Sequence, residues 1–424
     1  MNNLRSLMFA TLLALAFAAP SVRAADETPN PWKFEFHGWI SASMYYQDQV
    51  FALQQGQGLL LGAPPSSSLA GGSCTPAGAC AYPKSASLLS GDVRNSRFAF
   101  SMAGPKVFGG AAQPRAYLEF DFFGVQSPGA FGAEMPHPRL RVAIAELKFG
   151  GTNIQVGQQN QLVVVQIPGS LSHISNPVSY GAGTIGWRTP GIRVTQMVPV
   201  GGAQLELAAE AVANKWSNGT TIQATNPAGV GYGESSGLPM FQGRAKLDGA
   251  AGGFSYSAYL VGVYHSLDLN GFGDGGALPG WAGTKKSVSG NVVEVGGRLT
   301  FAPVSLSGNF YTGKTTGGMF GSLVYFGDIK DTGYWVQLAG NVTKELSLNV
   351  AYGANTPDKA DVRRVAGNSA RLANTLVGGM VKYQDGGYAV GVEAWKYTTT
   401  YSTGAATSTD TSALQVIATA AYFF

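Results

Sequence analysis

Only 12% of the 424 residues are charged, 59 are glycine and 11% are aromatic. Soluble domains carry about twice that charge fraction, so a water-bathed globule is a poor fit, and a chain with an apolar outside and a polar inside is a better one. The formal net charge of +4, with no Lys/Arg-rich run, excludes a nucleic-acid partner.

The chain opens MNNLRSLMFATLLALAFAAPSVRAADE. Arg5 supplies a positive start, Leu7 to Ala19 an apolar stretch, and Val22-Arg23-Ala24 a small-x-small cleavage site. Residues 1–24 therefore read as a secretory signal, leaving 25–424 as a single domain. No later segment holds eighteen consecutive apolar residues, so no spanning helix is expected.

WKFEFHGWISASMYY follows. Trp32, Phe34, Phe36, Ile40 and Met44 alternate with Lys33, Glu35, His37, Ser41 and Ser43. This period of two is a strand with one apolar and one polar face. Next comes a loop with GGSCTPAGACAYP. In an exported chain, Cys74 and Cys80 are expected to form a disulfide across it.

The alternation then recurs in about sixteen runs. Phe98 and Phe100 alternate with Arg97, and Leu118 and Phe120 with Glu119 and Asp121. Leu140, Val142 and Ile144 alternate with Arg139 and Arg141. Leu205 and Leu207 alternate with Glu206, Phe241 and Ala245 with Arg244 and Lys246, and Val293 and Val295 with Glu294.

Long Gly-rich connections are expected at 48–94, 124–138, 160–186, 212–238, 266–286, 313–332, 354–373 and 398–411. Short turns fall between them, at 200–202, 248–253, 302–304, 343–345 and 385–387. Long alternating with short is the layout of an up-and-down barrel with one plain rim and one elaborated rim. The chain ends ALQVIATAAYFF, apolar on every second position. Within a bilayer every backbone N–H and C=O needs a partner. The last strand should therefore close on the first, with its even residues facing lipid. The expected fold is all-β: a transmembrane antiparallel barrel with long external loops and short periplasmic turns.

GDVRNSRFAF, YLEFDFFG, RLRVAIAEL, IQVGQQNQ and WRTPGIRVT resemble Gram-negative outer-membrane trimeric porins, and the DcaP-like porins in particular. The resemblance covers residues 91–198. It implies sixteen strands, a homotrimer in the outer membrane among lipid and lipopolysaccharide, and passage of small solutes. It also implies delivery to the barrel assembly machinery through the strand ending at Phe424, and a third loop, residues 160–186, folded inward as a constriction.

That loop has no Asp, Glu, Lys or Arg; His173 and Tyr180 are its titratable side chains. Strand alternation puts Arg97, Arg115, Arg139, Arg141, Arg193, Arg244, Lys246 and Arg298 on the polar, inward face. Glu119, Asp121, Glu206, Glu210 and Glu294 share it and can pair with them. Arginine's planar fork suits carboxylate and phosphate, so the expectation is a mild anion preference, with near-neutral selectivity as the alternative. His173 reads as a polar residue in a flexible loop, and LVVVQIP before it as packing against the barrel wall.

Other motifs lack their context. Gly271, Gly273 and Gly276 fit a dinucleotide spacing, but Pro279 and Gly280 follow where a helix is needed. No nucleophile motif such as G-x-S-x-G is present. Neither enzyme activity, nor a cofactor, nor a metal is expected. The rival readings are a substrate-specific facilitator and a loop-presenting adhesion barrel.

Overall fold

The computed structural model describes residues 32–49, 51, 87–124, 136–215, 231–268 and 287–424. The signal segment, Cys74, Cys80 and the Gly271–Gly276 motif lie outside them.

Strands dominate: β1 (Lys33–Gln47), β2 (Leu88–Asp92), β3 (Arg97–Ala103), β4 (Gln113–Asp121), β5 (Arg139–Phe149), β6 (Thr152–Asn160), β7 (Arg188–Val200), β8 (Ala203–Val212) and β9 (Met240–Ala251). After them come β10 (Phe254–Asp268), β11 (Ser287–Phe301), β12 (Val304–Lys314), β13 (Lys330–Asn341), β14 (Leu346–Asn355), β15 (Arg371–Asp385), β16 (Tyr388–Ser402) and β17 (Ser408–Phe423). Among the described residues two short α-helices, α1 (Tyr232–Ser235) and α2 (Lys359–Ala366), sit in long connections.

β2 and β3 are two halves of one strand. β2 pairs with the second half of β1 and β3 with its first half. The break at 93–96 is stabilised by Asp92, which accepts from the Arg94 backbone N–H and guanidinium. Counted so, the sheet has sixteen antiparallel strands. It closes through β1 and β17, from Trp39↔Phe423 to Gln47↔Gln415. Gly38 and Phe424 exchange both backbone hydrogen bonds at 3.0 Å. Closure leaves no unpaired edge.

The side chains are arranged inside out. On β17, Leu414, Val416 and Tyr422 are exposed, as is Phe424 just after it, while Ala413, Gln415, Ile417 and Thr419 are buried on the inner face. On β1, Ile40, Met44 and Tyr46 point out, and Ser41, Ser43 and Gln47 point in. Tight turns join Val200 to Ala203, Ala251 to Phe254 and Asp385 to Tyr388. Gly201, Gly252 and Gly386 there hold φ of 59°, 56° and 54°, which glycine adopts without Cβ strain.

Two expectations are corrected. On β5, Asp121 pairs with Arg139 and Phe120 with Leu140, but Glu119 then pairs with Val142. Arg141 is the extra residue of a bulge. Directly opposed partners share a face, so beyond the bulge Val142 and Ile144 turn inward and Ala143 outward. Strict alternation had put Val142 and Ile144 with Leu140. The final long connection is also shorter than expected. β-branched Thr398, Thr399 and Thr400 continue β16 and pair with Ser412, Thr411 and Asp410, leaving only 403–407 between strands.

Candidate functional site

The β6–β7 connection, residues 161–187, folds into the lumen and bonds to walls around the barrel. Because it carries no charged side chain, its backbone groups need partners from the wall. On its first leg, the Leu162 and Val163 N–H groups donate to Glu210 Oε1 (2.9 Å) and Gln242 Oε1 (3.1 Å). Gln166 Nε2 donates to the carbonyls of Gly297 (2.8 Å) and Gly308 (2.7 Å). Val163 packs with Ile185, Val212, Met240 and Val261, and Val164 and Val165 lie against that cluster. The LVVVQIP run is thus a wall-packing segment.

The middle of the loop is pinned on β16. Glu393, fully buried, accepts from Leu171 N (2.7 Å), Ser172 N (2.8 Å) and Ser170 Oγ (2.6 Å). It also accepts from Trp395 Nε1 at 2.8 Å. The far end reaches the opposite wall. There Ser175 N donates to Asn95 Oδ1 (3.0 Å), and Arg141 and Arg97 donate to Ser175 O and Oγ, each at 3.3 Å. The return leg accepts from Tyr397 OH at Val178 O (3.1 Å) and from Asn374 Nδ2 at Gly181 O (3.0 Å). Gly183, at φ 109°, runs so close to β13 that a Cβ would lie 2.1 Å from Tyr334 O.

His173 is buried, not a surface residue. Its backbone N–H donates to Ser170 Oγ (2.9 Å), and its Nδ1 meets Ser172 Oγ at 2.8 Å. Its place is fixed by the turn that Glu393 gathers. Tyr180 is also buried, and its hydroxyl donates to Gly186 O at 2.8 Å. Burial pushes the Tyr180 phenol above its ordinary range, while Arg188, Arg141 and Arg139 pull the other way. Its ring stacks on Phe320, 4.7 Å between centroids. Phe320 comes from the β12–β13 connection and also meets Trp187 at 4.7 Å. Met319 O in that connection accepts from Gly186 N at 2.7 Å. Phe320, Ser322, Leu323 and Val324 all have positive φ. Asp331 holds this segment, accepting from Ser322 N (2.6 Å), Thr316 Oγ1 (2.6 Å) and Asn355 Nδ2 (2.6 Å).

Most of the inward basic residues have acidic partners. Arg139 pairs with Asp121 (2.6 Å), Arg141 with Glu119 (2.7 Å) and Asp121 (2.8 Å), and Arg97 with Glu119 (3.5 Å). Arg193 pairs with Glu210 (2.6 Å), Arg244 with Glu206 (2.5 Å) and Lys246 with Asp248 (2.8 Å). Arg115 and Arg298 stand apart, exposed and without an ion pair among the described residues. Glu294 is buried and accepts from Tyr259 OH at 3.0 Å.

Sequence reasoning missed Arg188. It begins β7, is 7% exposed, and its guanidinium lies 4.0 Å over the Trp187 ring. Arg139 approaches the same ring at 5.4 Å. Among the described residues Arg188 Nη2 has no hydrogen-bond partner. The available signal was the Trp-Arg pair where an acid-free loop meets a strand. Inward Asp248, Asp331 and Glu393 were missed too, and two of them serve loops. Near the far end of the loop, four guanidinium groups (Arg97, Arg139, Arg141, Arg188) meet only two carboxylates (Glu119, Asp121). Among the described residues no group of three His, Cys, Asp or Glu side chains converges as a metal site.

A closed sixteen-strand antiparallel barrel, apolar outside and with a loop folded into its lumen, has the architecture of outer-membrane channels. The outer membrane channel DcaP of Acinetobacter baumannii is 16% identical and superposes with a TM-score of 0.62 over 95% of this chain and 100% of its own. The in-vitro folded trimer form of Vibrio cholerae OmpT is 12% identical, with a TM-score of 0.52 over 93% and 100%. Salmonella typhi OmpF is 12% identical, at 0.51 over 92% and 97%. At these identities the likeness is one of fold. No family model and no curated protein matches the sequence.

Proposed function

We propose that the chain is a passive diffusion channel of the bacterial outer membrane for small hydrophilic solutes, with a mild preference for anions such as small carboxylates or phosphates. The exposed apolar belt supports residence in a bilayer, and the rim of long connections then faces outward. The observation that carries the anion preference is Arg188, a guanidinium facing the lumen loop without a carboxylate of its own. With Arg97, Arg139 and Arg141 it leaves positive charge uncancelled where the loop narrows the path. Confined charge of one sign raises the local concentration of the opposite ion.

In this mechanism the loop sets width and the Arg wall sets sign. The final strand, ending at Phe424, is the segment read by the barrel assembly machinery. A homotrimer belongs to the same reading. Phe36, Phe98, Phe100 and Phe424 form ring contacts 4.8–6.2 Å apart around the β1–β3 outer face, an apolar surface suited to lipid or to a second copy.

The test is the zero-current potential of the purified protein in a planar bilayer under a KCl gradient. An anion-directed potential that falls toward neutrality in Arg188→Gln supports the reading. A cation-directed potential refutes the preference, and a folded barrel that never conducts refutes the channel. One observation favours a narrower, substrate-specific facilitator: the loop is tied to the wall on both its legs. Saturable block of the current by one small carboxylate would decide for it. The expected first loop, which favours an adhesion role, ends in strand β2 (Leu88–Asp92), and its residues 52–86 lie outside the described residues.

A further inference from the structure

The outer wall carries an unusual charge arrangement at the rim of the long connections. Lys314 on β12 and Lys330 on β13 are directly opposed cross-strand partners. Both lie on the outward face, in register with exposed Phe310 and Tyr334 four residues further down. Like charges at this separation destabilise a sheet. Neither ammonium has an ion pair among the described residues. The nearest acids are bonded elsewhere, although Asp361 is close enough to feel the Lys330 charge. Asp358 caps α2, accepting from Ala360 N (3.0 Å) and Asp361 N (2.9 Å). Asp361 pairs with Arg364 at 3.0 Å and accepts from the Lys330 backbone N–H at 3.1 Å.

A groove of about 510 Å³ runs beside the pair, lined also by Asn291, Val293, Thr312, Thr332, Thr356 and two aspartates, Asp331 and Asp358, that are already bonded to Asn355 and to the start of α2. Below it the wall turns apolar, with Phe310, Tyr334 and Tyr352 exposed. Four residues of strand span about 13 Å, or about 10 Å of height at the usual barrel tilt. With the aromatic residues at the edge of the hydrocarbon, the lysines stand at the depth of the headgroups.

We propose that Lys314 and Lys330 form a binding site for the phosphate of a phosphorylated lipid headgroup, with the acyl chains lying along the apolar wall beneath. The anion relieves the repulsion between the ammoniums, and the wall accepts the chains, so both halves of an amphiphile are matched. Hydroxyls and amides in the groove add hydrogen bonds to phosphate or sugar oxygens. The inference rests on the reading that this rim faces the outer leaflet.

Native mass spectrometry of the purified full chain in detergent tests it, with heat-modifiability on gels confirming the folded barrel. The probes are bis-phosphorylated lipid A, the same lipid with both phosphates removed, and inorganic phosphate. The wild type is expected to retain the phosphorylated lipid over the dephosphorylated one. The Lys314→Gln/Lys330→Gln variant should lose about thirtyfold in retention, roughly fivefold per lysine. Lys344→Gln, in a short turn at the other rim, should lose nothing. Undiminished retention by the double variant overturns the proposal, as does equal retention of the dephosphorylated lipid. Displacement of lipid by an equal concentration of inorganic phosphate would make this a site for the free anion, and also overturns it. If the double variant does not fold, Lys330→Gln alone serves, with about a fivefold loss expected. Conductance separates the two readings: an inert wild-type barrel would refute the channel while leaving the lipid result standing.

Discussion

Replacing Glu393 with Ala should unpin the lumen loop without unfolding the barrel. The carboxylate gathers two backbone N–H groups, the Ser170 hydroxyl and the Trp395 indole, all within 2.6–2.8 Å. Hydrogen bonds to a charged group are each worth about 1.5–3 kcal/mol, and each buried donor left unmet costs about 1–3 kcal/mol. Water entering the lumen recovers part of this, so a net loss of about 3 kcal/mol is a conservative figure. That raises the ratio of released to docked loop about a hundredfold. Glu393→Gln should do less. Its amide oxygen still serves the two backbone donors, and its NH2 can donate to Ser170, but it opposes the indole N–H. The assay is single-channel recording in planar bilayers. Larger unitary conductance or frequent substates are expected in the order Ala, Gln, wild type, with the heat-modifiable barrel intact in all three. Identical unitary current and noise in Glu393→Ala would refute the view that this carboxylate positions the loop.

Arg141→Glu should shift ion selectivity toward cations, since a third carboxylate would join Glu119 and Asp121 and the bond to Ser175 O would be lost; unchanged selectivity in the bilayer argues against a pore-lining role. Phe320→Ala removes the ring held between Tyr180 and Trp187, at about 2–3 kcal/mol for a partly exposed Phe. Open-channel noise should rise with selectivity little changed, and a noise spectrum like the wild type's would count against a brace at Phe320. The third expectation concerns pH. Burial raises the Tyr180 phenol, so its stabilising effect is complete below the ordinary tyrosine pKa of about 10 and is lost as pH climbs through the raised folded value. Current noise in the wild type should therefore grow on the alkaline side of that range, and Tyr180→Phe should blunt the rise. An identical alkaline profile in the Phe variant would remove Tyr180 as its source.

The sequence by itself determined the barrel. Period two along β1 and β17 assigns a face to every residue, because successive strand side chains point to opposite sides. The apolar ending through Tyr422 and Phe424 demands a partner strand in a bilayer, and that partner is β1. The uncharged stretch after β6 likewise marks a segment that water does not need to solvate, and it lies in the lumen. Other features depended on which residues the closed sheet brings together. The bulge at Arg141 reverses the phase of β5, and a one-residue slip is invisible to a pattern that carries apolar residues on both phases. Glu393 is 222 positions from Leu171, and Asp331 meets loop donors only because β12, β13 and β14 are neighbours. Closure brings Arg188 beside Arg139 and Arg141, where the nearby Asp121 carboxylate is already paired with both. Alternation assigns a side chain to a face, but its partner on that face comes from strands far away in sequence, and so the charge balance at the loop was decided by the tertiary structure alone.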